Sequence, residues 1–206
     1  SGAASMQAAL AAGEHEVVIQ AVGRYSNSGQ GLHRLTDPVD GATYLYTHFE
    51  PSDARRAWPC LDQPDLRARL RLTVTHPAGW TVLGNGTVAT TRQVGAAVVS
   101  GLSTTEPLPT YLTALAAGPW HRVTGTWVPA APTAPVPLSW SCRSSLAAHL
   151  DADELLDLTG RGLSLYERTY TYPYPWGSYD CVLVPEYNIG AMENPGCVTF
   201  SEDAYL

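Results

Sequence analysis

Apolar and polar positions alternate with the period of a β-strand over much of the first two-thirds of the chain. In residues 69–75, Leu70, Leu72 and Val74 fall on one side and Arg69, Arg71, Thr73 and Thr75 on the other, the pattern of a half-buried strand. In 136–142, Val136, Leu138, Trp140 and Cys142 line up in the same way. β-Branched and aromatic runs predict further strands at 16–21, 44–49, 80–83, 87–89, 96–102, 111–117 and 121–128. Gly84-Asn85-Gly86 lies between two of them, and Asn-Gly is a strong hairpin signal. Residues 129–137 read as an Ala/Pro loop. Many short strands divided by turns predict a mainly β fold, an antiparallel sandwich or saddle.

The pattern changes at about residue 144. Asp151 and Glu154 have capping-box spacing, with Asp in place of Ser or Thr. Leu155, Leu158, Leu163, Tyr166 and Tyr170 then recur at helical intervals. Gly160 and Gly162 weaken this helix by up to ~1 kcal/mol each, and the prolines of Tyr172-Pro173-Tyr174-Pro175 end it. Strands follow at 180–185 and 196–201, on either side of a small-residue stretch at 188–195. The boundary therefore falls near 143, giving units 1–143 and 144–206. One helix and two strands are too little to bury a core, so the chain is expected to stop partway through a domain.

Composition narrows the choices. With 45% hydrophobic and 15% charged residues the chain can fold around a core, and no apolar run approaches the ~18 residues of a membrane span. A net charge of −7 argues against nucleic acid. The charge is uneven: residues 1–143 carry ten Arg against nine carboxylates, a balance of +1, and 144–206 carry two against ten, a balance of −8. That acidity reads either as a solvated helix face or as a site for a cation such as an α-ammonium group. Cys60, Cys142, Cys181 and Cys197 have no paired spacing and are expected to be reduced and mostly buried, as in a cytoplasm. Residues 1–12 are small, with neither the basic start nor the long apolar run of a secretory leader.

No phosphate loop, dinucleotide fingerprint, nucleophile elbow or H-E-x-x-H is present, and the six His are scattered, which assembles no metal set. One pentapeptide carries chemistry: Gly190-Ala191-Met192-Glu193-Asn194. It resembles the G-A-M-E-N exopeptidase motif of the aminopeptidase N family of zinc metallopeptidases; a chance match has odds on the order of one in ten thousand. A second block, Thr47-His48-Phe49-Glu50-Pro51-Ser52-Asp53-Ala54-Arg55-Arg56-Ala57-Trp58-Pro59-Cys60, is similar to that family's T-Q-F-E-P-x-D-A-R-R-A-F-P-C segment. The resemblance runs from about Tyr25 to Leu206 and is nearest to the actinobacterial type. It implies an N-terminal antiparallel β domain followed by the start of an α+β, thermolysin-like catalytic domain.

By the same resemblance, Glu193 and Glu50 are the carboxylates that hold a substrate's free α-amine. Each charge-assisted hydrogen bond is worth ~1.5–3 kcal/mol, enough to turn away a blocked or internal peptide. Gly190, Ala191, Met192 and Asn194 belong to the substrate-binding stretch, whose small residues let a substrate backbone pair with an exposed edge. Arg55 and Arg56 are expected to brace their loop against nearby carboxylates, and Trp58, Trp176 and Tyr179 to pack in the core or at a domain interface. Ile189 and Tyr187 stand where they could shape the first-residue pocket. His48 replaces the usual Gln. The family's zinc motif, its later Glu ligand and its transition-state Tyr lie beyond 206, so the implied cofactor is zinc in a longer enzyme. The implied partners are peptides with a free N-terminus and the enzyme's other domains. This stretch alone is expected to bind no catalytic zinc and to hydrolyse nothing. The competing expectation is a non-catalytic β-sandwich interaction module that has lost the metal site. A leukotriene-hydrolase-like relative, which carries G-G-M-E-N, fits Ala191 less well.

Overall fold

A computed structural model describes residues 11–206; the small-residue opening read at 1–12 lies almost wholly outside them. Strands β1 (Gly31–Thr36) and β2 (Thr43–His48) pair antiparallel in a four-stranded sheet with β4 (Thr81–Gly84) and β7 (Leu115–Gly118), in the order β1-β2-β7-β4. A smaller sheet, β3-β6-β5, is built from β3 (Thr73–Pro77), β5 (Val88–Val94) and β6 (Ala97–Leu102), again antiparallel. The third sheet joins β8 (His121–Trp127), β9 (Val136–Cys142), β10 (Tyr179–Val184), β11 (Ala191–Met192) and β12 (Cys197–Ser201) in the order β11-β12-β10-β9-β8. In it β10 runs parallel to both β9 and β12. The described protein is thus mainly β, antiparallel through its first part, and parallel pairing enters with β10. The five-stranded sheet takes strands from both sides of residue 143.

Helix α1 (Ala152–Tyr170) starts where the capping pattern places it, with the Asp151 carboxylate accepting the Glu154 N–H at 3.2 Å. It ends at Thr171 in the left-handed conformation, ahead of Pro173. Alternation along β10 divides the core. Val182 and Val184 face the four-stranded sheet, packing with Tyr44, Tyr46, Leu83, Trp120 and Met192. Cys181 and Leu183 face the other way and pack with Trp140, Cys142 and the α1 residues Leu155 and Leu156. A short α2 (Glu202–Tyr205) follows β12.

Several local expectations give way to tertiary context. Residues 16–21 form no strand; Val17, Val18 and Ile19 are 50%, 79% and 59% exposed, and β-propensity without a partner sheet orders nothing. In 69–75 only the end is strand, because 68–72 are held by a single bridge, Ala68 to Leu108, and by scattered bonds such as Leu70 N–H to Thr105 Oγ1. Residues 111–117 split into a 3₁₀ turn, Thr110–Leu112, and β7. Asn85-Gly86 is no hairpin: β4 joins the four-stranded sheet and β5 the three-stranded one, so these residues carry the chain between sheets. All four Cys are free, with three buried and Cys60 partly so.

One buried charge cluster locks the layers. Arg143, just past β9, lies 2.7 Å from Asp37 after β1 and 2.7 Å from Glu202 at the head of α2. Removing one partner of such a pair leaves charge uncompensated, so Arg143→Ala is expected to lower unfolding stability by about 3–5 kcal/mol in urea titrations. Burial pushes the Asp37 carboxyl up, but hydrogen bonds from Ser145, the Val39 N–H and Arg143 outweigh it and hold the group below its ordinary 3.8. A depressed carboxyl contributes stability above its unfolded value and loses it as pH falls through the folded one. Stability should therefore decline below about pH 4, and Asp37→Asn should flatten that acid limb.

Candidate functional site

The pentapeptide 190–194 lies on the outer edge of the five-stranded sheet. β11 pairs antiparallel with β12, Ala191 opposite Phe200 and Met192 opposite Thr199, and the Gly190 carbonyl accepts the Ser201 N–H at 2.9 Å. β11 ends the strand order, so its other edge carries unpaired backbone groups. Alternation sets the side chains. Met192 and Asn194 are 2% exposed, while Gly190, Ala191 and Glu193 face outward. A Cβ added at Gly190 would meet nothing within 4 Å, so space is open on that side.

The entry and exit of this segment are both tied to the first sheet. The Tyr46 hydroxyl donates to the Pro185 carbonyl at 2.9 Å. His33 Nε2 stands 3.0 Å from the Glu186 carboxylate, out of line for a hydrogen bond. Asn188 donates to the Ser28 carbonyl at 2.5 Å. On the exit side Asn85 is the anchor. Its amide donates to the carbonyls of Leu112 at 2.8 Å and Pro195 at 2.9 Å, and its oxygen accepts the Ala114 N–H at 2.7 Å. Gly196, at φ +77, passes so close that a Cβ would lie 2.7 Å from the Asn85 carbonyl; both facts demand glycine.

Glu50 follows β2, exposed, at the start of a cis bond to Pro51. Tyr187 links it to Glu193. Burial does most to push the Tyr187 hydroxyl up, and Cys197, Glu193 and Glu50 add to the shift against the hydrogen bond from Thr199. The Tyr187 side chain thus meets the segment that carries Glu50, through His48, and the strand that pairs with the Glu193 segment, through Thr199, although these belong to different sheets. That hydroxyl lies 2.7 Å from Thr199 Oγ1 and 3.5 Å from His48 Nδ1, and the Tyr187 ring meets Tyr46 and His48 edge-on. Around this point the exposed charge is negative: Glu50, Glu186 and Glu193, with Asp53 already paired to Arg56 at 3.1 Å. An outward carboxylate beside an unpaired strand edge can hold a cationic amine and a backbone together.

Of the expected braces, Arg56 meets Asp53, whereas the Arg55 guanidinium reaches the Ser52 hydroxyl at 3.1 Å and its backbone N–H the Asp62 carboxylate at 3.1 Å. Trp58 packs on Phe49, and Tyr179 on Tyr174. The acidity of the second part divides between both readings: Asp153, Glu154 and Asp157 are exposed on α1, and Glu186 and Glu193 stand at the site. Tyr46, Asn85 and Thr199 were not legible as site residues; each works through a partner distant in sequence. Among the described residues no three His, Cys, Asp or Glu side chains gather as a metal site.

Residues 3–112 match the family described as Peptidase M1 N-terminal domain, and 154–206 match the Peptidase family M1 domain. The chain is 43% identical to aminopeptidase N of Streptomyces lividans over 182 residues, 88% of this chain and 20% of that one. It is 32% identical to aminopeptidase Ey of Gallus gallus over 78% of this chain and 16% of that one. It is 31% identical to a probable aminopeptidase 1 of Sulfurisphaera tokodaii over 82% and 20%. The chain thus spans about a fifth of the length of such relatives.

Asn85→Asp keeps shape but turns a double donor into an acceptor facing two carbonyls. It is expected to cost about 3 kcal/mol or more in stability and to speed hydrogen exchange at Cys197, whose N–H closes the turn onto the Asn194 carbonyl.

Proposed function

The chain belongs to peptidase family M1, and from that premise we propose that it forms the amine-recognising floor of a zinc-dependent aminopeptidase that removes N-terminal residues from peptides. The observation that carries this is the outward-facing Glu193 on the open edge of β11, with the buried Tyr187 hydroxyl behind that edge bridging Thr199 and His48, two residues before the exposed Glu50. An α-ammonium between the two carboxylates would be bound by charge-assisted hydrogen bonds. The next peptide group would lie along 190–192 and pair with the open edge of β11, as an added strand does. A blocked N-terminus loses the charge and the donors together, so recognition falls on exopeptidase substrates.

Gly190 and Ala191 keep the edge clear, Met192 and Asn194 anchor it from below, and Glu193 projects between them. We assign this chain the recognition step, and the relatives' greater length leaves room for the metal-binding residues. The units 1–143 and 144–206 then correspond to the N-terminal part and the opening of the catalytic part, a division supported by the two family matches. We place the protein in the cytoplasm, where buried free thiols such as Cys142, Cys181 and Cys197 stay reduced. Among the described residues no helix is long and apolar enough to cross a membrane.

The test is calorimetric titration with leucine amide and N-acetyl-leucine amide. Leucine amide should bind and the acetylated form should not, and Glu193→Gln or Glu50→Gln should each weaken binding about tenfold or more. Equal binding of both amides, or indifference to both substitutions, would favour the interaction-module alternative.

A further inference from the structure

His48 is 4% exposed and stands on the same strand face as Tyr46, two residues before Glu50. A chain of polar contacts leads away from it: His48 Nδ1 to the Tyr187 hydroxyl at 3.5 Å, that hydroxyl to Thr199 Oγ1 at 2.7 Å, and Thr199 Oγ1 to the Asn194 amide at 3.5 Å. The chain therefore starts beside one amine-binding carboxylate and ends beside the other. The Asn194 amide can only donate to Thr199. With a bare Nδ1, Tyr187 gives its proton to His48 and Thr199 gives its own to the Tyr187 oxygen, so each hydroxyl in the chain both accepts and donates. That order is open only while Nδ1 is an acceptor, in the neutral ring.

We propose that His48 is a positioning residue for the amine site: its neutral ring terminates the relay that holds the Glu50 and Glu193 segments in binding order, and its imidazolium reverses the relay and competes with the substrate ammonium. The inference rests on the amine-site reading above. Protonation makes Nδ1 a donor, so Tyr187 must turn its proton towards Thr199. It also adds a positive charge next to Glu50. The ring meets Tyr187 of the β10–β11 loop edge-on, and the carboxylates of its own segment are Glu50 and Asp53, two and five residues further along. Burial lowers the readiness of the ring to protonate, and the two carboxylates only partly offset it, so the neutral form holds at neutral pH. By reciprocity, a bound ammonium opposes protonation of His48 as much as protonation opposes binding.

The experiment is leucine amide affinity of the intact protein from about pH 7 to about pH 5, for wild type and His48→Gln, with the His48 ring followed by NMR. Protonation of the amide itself is common to both proteins and cancels in their ratio. Wild-type affinity should fall severalfold relative to the variant across that range, and saturating amide should move the His48 midpoint down by about one pH unit. Binding that is present but keeps a constant wild-type to variant ratio, or a His48 midpoint blind to the amide, overturns the role of His48 and leaves the amine site standing. Absence of binding by both proteins at every pH overturns the amine site, and this inference with it.

Discussion

The bond from the Tyr46 hydroxyl to the Pro185 carbonyl is the joint on which the site depends. Glu50 follows a strand of one sheet and Glu193 a strand of another, so nothing local brings them together. Tyr46 is fully buried, inserts between the sheets, stacks on His33 at 4.8 Å and meets Tyr187 edge-on at 5.5 Å. His33 secures the same loop in a defined proton state. The Gly29 N–H donates to its Nδ1 at 3.0 Å, so the ring proton sits on Nε2, towards Glu186. A second proton would point at the Gly29 N–H, and burial already lowers the ring below its ordinary value despite Glu186. The loop therefore docks against a neutral imidazole, and Glu186, with a left-handed backbone at φ +51, lies between the bonds made by the Pro185 carbonyl and the Asn188 amide.

A second kind of constraint acts farther from the site. Arg143 with Asp37 and Glu202 is a buried charge cluster, and such clusters contribute less net stability than a well-packed apolar replacement would. What the cluster adds is register. The Arg143 donors have two carboxylates to reach, one after β1 and one at the start of α2, and a slip of either sheet would strand a charge. Apolar packing across the layer tolerates small shifts; the charge cluster does not.

The strands and helix were legible where local chemistry and tertiary demand agree. Asp151 caps α1 because the carboxylate satisfies a free N–H wherever a helix begins there, and 136–142 alternates because Val136, Leu138, Trp140 and Cys142 pack in the core while the small Ser139 and Ser141 occupy the other face. Asn85-Gly86 misled because its hairpin preference is worth less than three buried hydrogen bonds to distant backbone. Residues 16–21 misled because β-branched composition measures fit to a sheet, and none of the sheets described takes them. The site residues Glu50 and Glu193 were legible only through motif resemblance; spacing along the chain cannot show that a Tyr at 46 and a carbonyl at 185 meet.

The same division explains why so short a strand suffices for recognition. An exposed edge invites uncontrolled pairing, and proteins limit that by keeping edge strands short and charged. β11 is two residues long and Glu193 follows at once, so it offers enough backbone for one peptide group and too little for another sheet. Such a strand has almost no ladder of its own to hold it. Its geometry must come from below, from Met192 in the core, Asn194 against Thr199, and Asn85 gripping the Pro195 carbonyl. Buried anchors at alternate positions fix the direction of the outward residues between them. The exposed half of 190–194 is thus free to meet a ligand because the buried half has no freedom left.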